Sequence, residues 1–196
     1  MSTRTGVARG RRIVVSGGPG SGKTTLLEAL AGAGARVMPE AGRAIIRQQR
    51  AVDGPALPWR DVERFAEAML HWELRSHEEA ASAPGDVVFD RGVPDVVGYL
   101  RLEGRWVPAH VDAAARRMRY HPVVFLAPPW REIYRADAER HQSFAVAERT
   151  FEAMARAYPD YGYEVVELPR VGVAERVGFV AQTLGGLRIS ASPDAR

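Results

Sequence analysis

The segment Gly17-Gly18-Pro19-Gly20-Ser21-Gly22-Lys23-Thr24 matches the phosphate-binding loop pattern G-x-x-x-x-G-K-[ST] at every fixed position. Such a loop works only where a buried strand feeds it and a helix leaves it, which commits this part of the chain to an α/β architecture. Both neighbours are present. Arg12–Ser16 is a short apolar strand, and Thr24–Ala31 is a helix with Leu26, Leu27 and Leu30 along one side. Glycines let successive N–H groups turn inward around phosphate oxygens, and the helix N-terminus adds partial positive charge. The expected ATP-binding run is therefore Gly17, Gly18, Pro19, Gly20, Ser21, Gly22, Lys23, Thr24 and Thr25, with Lys23 on the β- and γ-phosphates and the Thr24 hydroxyl on Mg²⁺. Lys23 is also the only lysine among 27 basic residues. A slim ammonium enters a tight loop where arginine's planar fork does not fit, so the departure from arginine falls where phosphate chemistry needs it.

Strands and helices alternate beyond the loop. Arg36-Val37-Met38 is a second strand closed by Pro39-Glu40, and Ala41–Arg50 is a helix. Val62, Phe65, Met69 and Trp72 recur at helical spacing from an Asp61 cap to about Ala81, before Pro84-Gly85 breaks the pattern. Asp86–Asp90 is a third strand, and Asp95–Leu102 and Val111–Arg119 are helices. Pro122–Leu126 and Glu164–Leu168 are the fourth and fifth strands, with helices at Arg131–Glu139, Ala147–Tyr158 and Val173–Leu184. Short apolar strands alternating with helices imply a parallel sheet covered on both faces, in one α/β domain over residues 12–184.

Composition narrows the function classes. At 196 residues with 46% hydrophobic content the chain supports a substantial core. Its formal charge of +3 is concentrated in Arg4, Arg9, Arg11 and Arg12, where no acid falls, so residues 1–11 are expected as a disordered basic arm and the remaining body is close to neutral. No nucleic-acid partner is expected, and no membrane, because no apolar run approaches the ~20 residues of a spanning helix. The absence of cysteine excludes disulfides and thiol chemistry and fits a cytoplasmic protein. Residues 185–196 are expected as a flexible tail.

Chemistry-bearing residues gather at strand ends, where ligands of open α/β sheets bind. Asp90 ends the third strand, in position to orient the metal. Arg91 follows it where hydrolytic ATPases carry a glutamate to activate water, and a positive charge there favours stabilising a transferring phosphoryl group. Glu40 ends the second strand and is placed to take the proton of an attacking hydroxyl, with Arg43 one turn on. Arg131, Arg135 and Arg140 recur along the segment after the fourth strand, in the manner of a lid that closes over ATP. Arg170, after the fifth strand, is positioned beside the nucleobase. Trp59, Phe65, Trp72, Tyr99 and Trp106 lie in the stretch where an acceptor pocket forms, although aromatics at helical spacing also serve as core. The five histidines show no metal-ligand spacing.

Taken together, Gly17–Thr25, Pro39–Arg43, Phe89–Asp95, Tyr134–Arg140 and Gly162–Glu167 resemble a bacterial family of AAA-like small P-loop ATPases and kinases, similar to the kinase part of nicotinamide riboside kinases. Deoxynucleoside kinases look similar in outline, with a glutamate after the second strand and an acid–arginine pair after the third. The resemblance implies the three-layer P-loop nucleoside triphosphate hydrolase fold, a five-stranded parallel sheet of order 2-3-1-4-5, Mg-ATP use and a lid at about 129–147. It also implies the substrate-side roles of Glu40 and of Asp90-Arg91.

The reading from residues and resemblance is an Mg-ATP-dependent kinase that transfers the γ-phosphoryl group to a hydroxyl of a small molecule, nucleoside-like or another metabolite. Its alternative is a nucleotide-dependent regulatory ATPase acting through a protein partner. A guanine-specifying Asn-Lys-x-Asp motif cannot occur in a chain whose one lysine lies in the loop.

Overall fold

The computed structural model describes residues 10–134 and 143–188. Five strands form one sheet: β1 (Arg12–Gly17), β2 (Arg36–Met38), β3 (Val87–Asp90), β4 (Val123–Ala127) and β5 (Glu164–Glu167). All pairings are parallel, and the order is β2-β3-β1-β4-β5, as the family resemblance implies. The helices are α1 (Lys23–Gly32), α2 (Ala41–Ala51), α3 (Val62–Glu79), α4 (Val93–Leu102), α5 (Ala109–Arg117), α6 (Phe144–Asp160) and α7 (Val173–Thr183).

The strand period of two splits the core into two layers. Ile13, Val15, Val88, Phe125 and Ala127 pack with Leu26 and Leu30 of α1, Val180 of α7 and Leu184 just beyond it. Their neighbours Val14, Val87, Phe89, Val124 and Leu126 face the opposite side, against α3, α4, α5 and α6. A third cluster of Ile45, Ile46, Leu57 and Phe65 joins α2 to α3. Among the described residues no helix is long and apolar enough to cross a membrane.

Several boundaries differ from the sequence expectation. The helix expected at Arg131–Glu139 is a turn over 131–133, and residues 135–142, with Arg135 and Arg140, lie outside the described residues. Stacking explains the turn: Trp130 lies 4.9 Å beneath the Arg176 guanidinium, Arg131 sits 4.2 Å over Phe144, and Tyr134 meets Phe144 edge-on at 5.3 Å. Helix α6 starts at Phe144, ahead of the expected Ala147. Helix α4 starts at Val93, because Pro94 suits a first turn and the Asp95 carboxylate accepts the Gly92 N–H at 3.0 Å. Arg11 and residues 185–188, expected within the arm and the tail, make defined contacts. Asp86 accepts Arg11 Nη2 at 2.6 Å and the Arg188 N–H at 2.8 Å, and Arg11 donates to the carbonyls of Leu184 and Gly186. Burial opposes ionisation of Asp86, but these donors hold its carboxyl below the usual range.

Candidate active site

The carboxyl ends of the strands open into two cavities that share a wall. A cavity of about 550 Å³ lies over the phosphate loop, lined by Pro19–Thr25, Asp90, Trp130, Ile133, the 171–173 loop and Arg176. A second, of about 270 Å³, is lined mainly by apolar and aromatic side chains of α2, α3, α4 and α6. Pro19, Glu40 and Arg91 line both.

Strand register builds the loop. Gly17 pairs with Ala127 on β4, and at φ +133 a Cβ there would lie 2.4 Å from the Ala127 carbonyl oxygen. Gly22 caps α1 in the left-handed region at φ 79, a turn that glycine adopts without steric cost. The Lys23 side chain folds back over the loop, donating to the Gly18 carbonyl at 2.7 Å and the Gly17 carbonyl at 3.1 Å. Burial pushes its ammonium down to about 8, with Arg91 adding to the effect and Asp90, Glu40 and Asp95 opposing it. Thr24 and Thr25 are exposed into the same cavity.

Asp90 is buried, and its Oδ1 has no hydrogen-bond partner among the described residues. Burial raises its carboxyl, with Lys23 as the main opposing charge and Glu40 reinforcing the shift. An orphaned carboxylate oxygen and a threonine hydroxyl in one cavity fit Mg²⁺, which is held by one or two protein oxygens together with substrate phosphates. Among the described residues no cluster of His, Cys, Asp and Glu would hold a metal alone.

Arg91 is the hinge of the shared wall. Its backbone adopts φ +79, a left-handed conformation that costs a non-glycine residue about 1–2 kcal/mol. Tertiary contacts hold it there: the N–H donates to the Val15 carbonyl at 3.0 Å, Nη1 bonds Asp95 at 3.2 Å and Nε lies 3.5 Å from Glu40. Burial alone would lower the guanidinium pKa, but Glu40, Asp95 and Asp90 raise it, so the charge is permanent. Glu40 stands at the start of α2 between two arginines, with Arg43 Nε at 3.2 Å. Asp95, one helical turn beyond Arg91, also accepts hydrogen bonds from Ser16 Oγ and Tyr158 Oη.

Lys23, Thr24, Glu40, Asp90 and Arg91 thus converge as the strand ends imply. Arg131 does not: it stacks on Phe144, while Trp130 and Ile133 line the loop cavity. Arg170 is half exposed and donates to the Pro129 carbonyl at 3.1 Å, outside the cavity lining. The arginine that does line the loop cavity from this side is Arg176, which sequence reasoning missed. Arg176 is 2% exposed, donates to the Ser21 carbonyl at 2.9 Å and the Pro169 carbonyl at 2.8 Å, and keeps Nη2 buried without a described partner. Of the acceptor-side aromatics, Trp59, Phe65 and Tyr99 line the smaller cavity. Trp72 packs against the α2–α3 cluster instead, and Trp106 is 94% exposed.

A family model described as an AAA domain matches residues 12–176. No curated relative matches the sequence. Among solved structures, NadR protein in complex with NR is similar at a TM-score of 0.67 and 18% identity, over 94% of this chain and 53% of NadR. The chain therefore spans about half the length of NadR. Deoxyadenosine kinase from M. mycoides with bound dATP is similar at 0.59 and 14% identity, covering 90% of this chain and 100% of that one. Thymidylate kinase from Ehrlichia chaffeensis reaches 0.58 at 14% identity, over 89% and 99%. Such identities establish the fold, which is that of P-loop kinases.

Proposed function

The chain belongs to the AAA domain family, and we propose that it is an Mg-ATP-dependent kinase that phosphorylates a hydroxyl of a small molecule. The observation that carries this reading is the wall of Pro19, Glu40 and Arg91 common to both cavities. A hydrolase needs room for water beside the γ-phosphate; a second, aromatic-lined cavity opening on the same residues suits an organic acceptor. Its volume of about 270 Å³ falls just below the usual span of small-molecule sites, roughly 300–1,000 Å³, and so suits a small acceptor. The names of deoxyadenosine and thymidylate kinases, which share the fold, support a nucleoside-like acceptor.

In this reading the loop N–H groups and Lys23 hold the ATP phosphates, with Lys23 leaving the Gly17 and Gly18 carbonyls it bonds in the structure. Arg176 braces the loop through Ser21 and offers its remaining Nη2 to the nucleotide. Thr24 and Asp90 would hold Mg²⁺, which would supply charge neutralisation at the phosphates. The acceptor hydroxyl oxygen attacks the γ-phosphorus while the bond to the bridging oxygen breaks, and ADP leaves with that electron pair. Glu40 accepts the hydroxyl proton, and Arg91, held by Glu40 and Asp95, faces the phosphoryl group in transit.

Incubation with γ-labelled ATP, Mg²⁺ and fractionated small-molecule pools tests the reading. Label is expected in an organic phosphate ester. Label appearing only as free phosphate with every pool would favour the regulatory ATPase instead.

A further inference from the structure

Two acids lie deep in the apolar cavity, and they are held very differently. Asp95 is saturated by Ser16, Arg91, Gly92 and Tyr158. Glu73, on α3, is 3% exposed, yet it makes no hydrogen bond or ion pair with any described residue. Arg91, the cation on that wall, is already engaged by Glu40 and Asp95. An unpartnered buried carboxyl works against folding, and nothing in helix formation asks for one here. Phe65, Ala66 and Leu70 supply the apolar face of α3, and a leucine at 73 would extend it. A polar group that costs stability and lines a cavity is placed for a ligand.

The surroundings specify the ligand's shape. Phe65 and Tyr99 meet edge to face at 5.5 Å and 74°, and both line the cavity. Trp59 is half exposed beneath the Arg50 guanidinium at 5.1 Å, and it also lines the cavity. The Tyr99 hydroxyl, on the same wall, lacks a hydrogen-bond partner among the described residues. Aromatic walls beside a carboxyl that no described residue engages suit a flat ring with a polar edge.

We propose that Glu73 selects the phosphate acceptor, and that the acceptor is a nucleoside whose base lies among Phe65, Tyr99 and Trp59 with an N–H edge on Glu73 and a sugar hydroxyl toward Glu40 and Arg91. The proposal rests on the kinase reading for its orientation. Burial above all, then Asp95, Asp90 and Glu40, push the Glu73 carboxyl well above its usual range against the pull of Arg91. A neutral carboxyl both donates and accepts, which matches a base edge bearing an N–H beside an acceptor. Glutamine preserves that pattern, and leucine removes it.

Thermal stabilisation by cytidine, uridine, adenosine and guanosine, with a non-hydrolysable ATP analogue and Mg²⁺ present, tests this on wild type, Glu73→Gln and Glu73→Leu. At least one nucleoside is expected to bind. Its N-methylated form (3-methyluridine or N6,N6-dimethyladenosine, for instance) should bind about tenfold more weakly, as should the parent nucleoside to the leucine variant. The glutamine variant should retain binding, and the unliganded leucine variant should melt no lower than wild type. Binding by none of the four, or binding indifferent to both methylation and Glu73→Leu, would overturn the proposal. If the leucine variant fails to fold, the methylated pair and Glu73→Gln still decide it. Nucleoside binding without transfer of label from ATP would contradict the kinase reading while supporting the role of Glu73.

Discussion

The two cavities that meet at Glu40 and Arg91 are built by different means. Around the loop, one contiguous stretch, Pro19–Thr25, lines the cavity, and its loop N–H groups are donors that any nucleoside triphosphate would satisfy. The smaller cavity draws single side chains from α2, α3, α4 and α6, and its backbone contributes little that is chemically distinctive. Loop geometry can thus be shared among proteins acting on unrelated acceptors, while the acceptor wall changes by ordinary side-chain substitution. What both sides depend on is the largely buried ion cluster of Glu40, Arg91 and Asp95. There, a strained backbone at Arg91 is held by the contacts it makes, a pattern expected at functional sites.

The contrast can be broken from the nucleotide side first. Lys23→Ala should abolish ATP-dependent stabilisation, worth about 2.7 kcal/mol at 100 times the dissociation constant. It should also lower turnover by about 10²–10³-fold, the scale of losing one preorganised charge donor. Acceptor binding, followed by thermal shift, should survive; loss of both ligands together would merge the two cavities into one site. Arg176→Met removes the donors to the Ser21 and Pro169 carbonyls, leaving buried oxygens unpaired. A loss of about 2–3 kcal/mol in denaturant unfolding, with weaker ATP binding, is the expected outcome. Unchanged ATP affinity would limit Arg176 to a structural brace.

On the acceptor side the sharper probe is pH. Glu73 is raised in the folded chain from an ordinary value of 4.5, so above about that pH the unfolded chain binds fewer protons than the folded one. Wild-type stability should therefore fall relative to Glu73→Gln as pH rises from 4.5, by up to about 1.4 kcal/mol per unit, and level off only above the folded value. Parallel stability curves across pH 4–8 would mean that the carboxyl titrates normally and is not a neutral donor.

Legibility follows the same division. The loop, the alternating strands and the strand-end residues Glu40, Asp90 and Arg91 were readable because each is local: a motif, a period of two, or the residue at which an apolar run stops. Asp61 as the cap of α3 was readable for the same reason, and its carboxylate does accept the Arg64 N–H at 2.9 Å. Glu73 and Arg176 were not. A glutamate within α3 or an arginine in the first turn of α7 has the sequence signature of a solvated helix face, and only packing against distant elements buries it. Trp106 erred the other way, an aromatic near the right helices that packing leaves in solvent. The turn at 131–133 was misjudged because charged residues at helical spacing outweighed stacking partners far along the chain, at Phe144 and Arg176.

The central claim is that Glu40, on the wall between the cavities, serves transfer to an acceptor and not the holding of ATP. The direct measurement compares wild type and Glu40→Gln for label transferred from ATP to acceptor, with ATP affinity determined in parallel. The account predicts transfer reduced by about 10²-fold or more with ATP affinity nearly unchanged. Transfer at the wild-type rate in Glu40→Gln would contradict it.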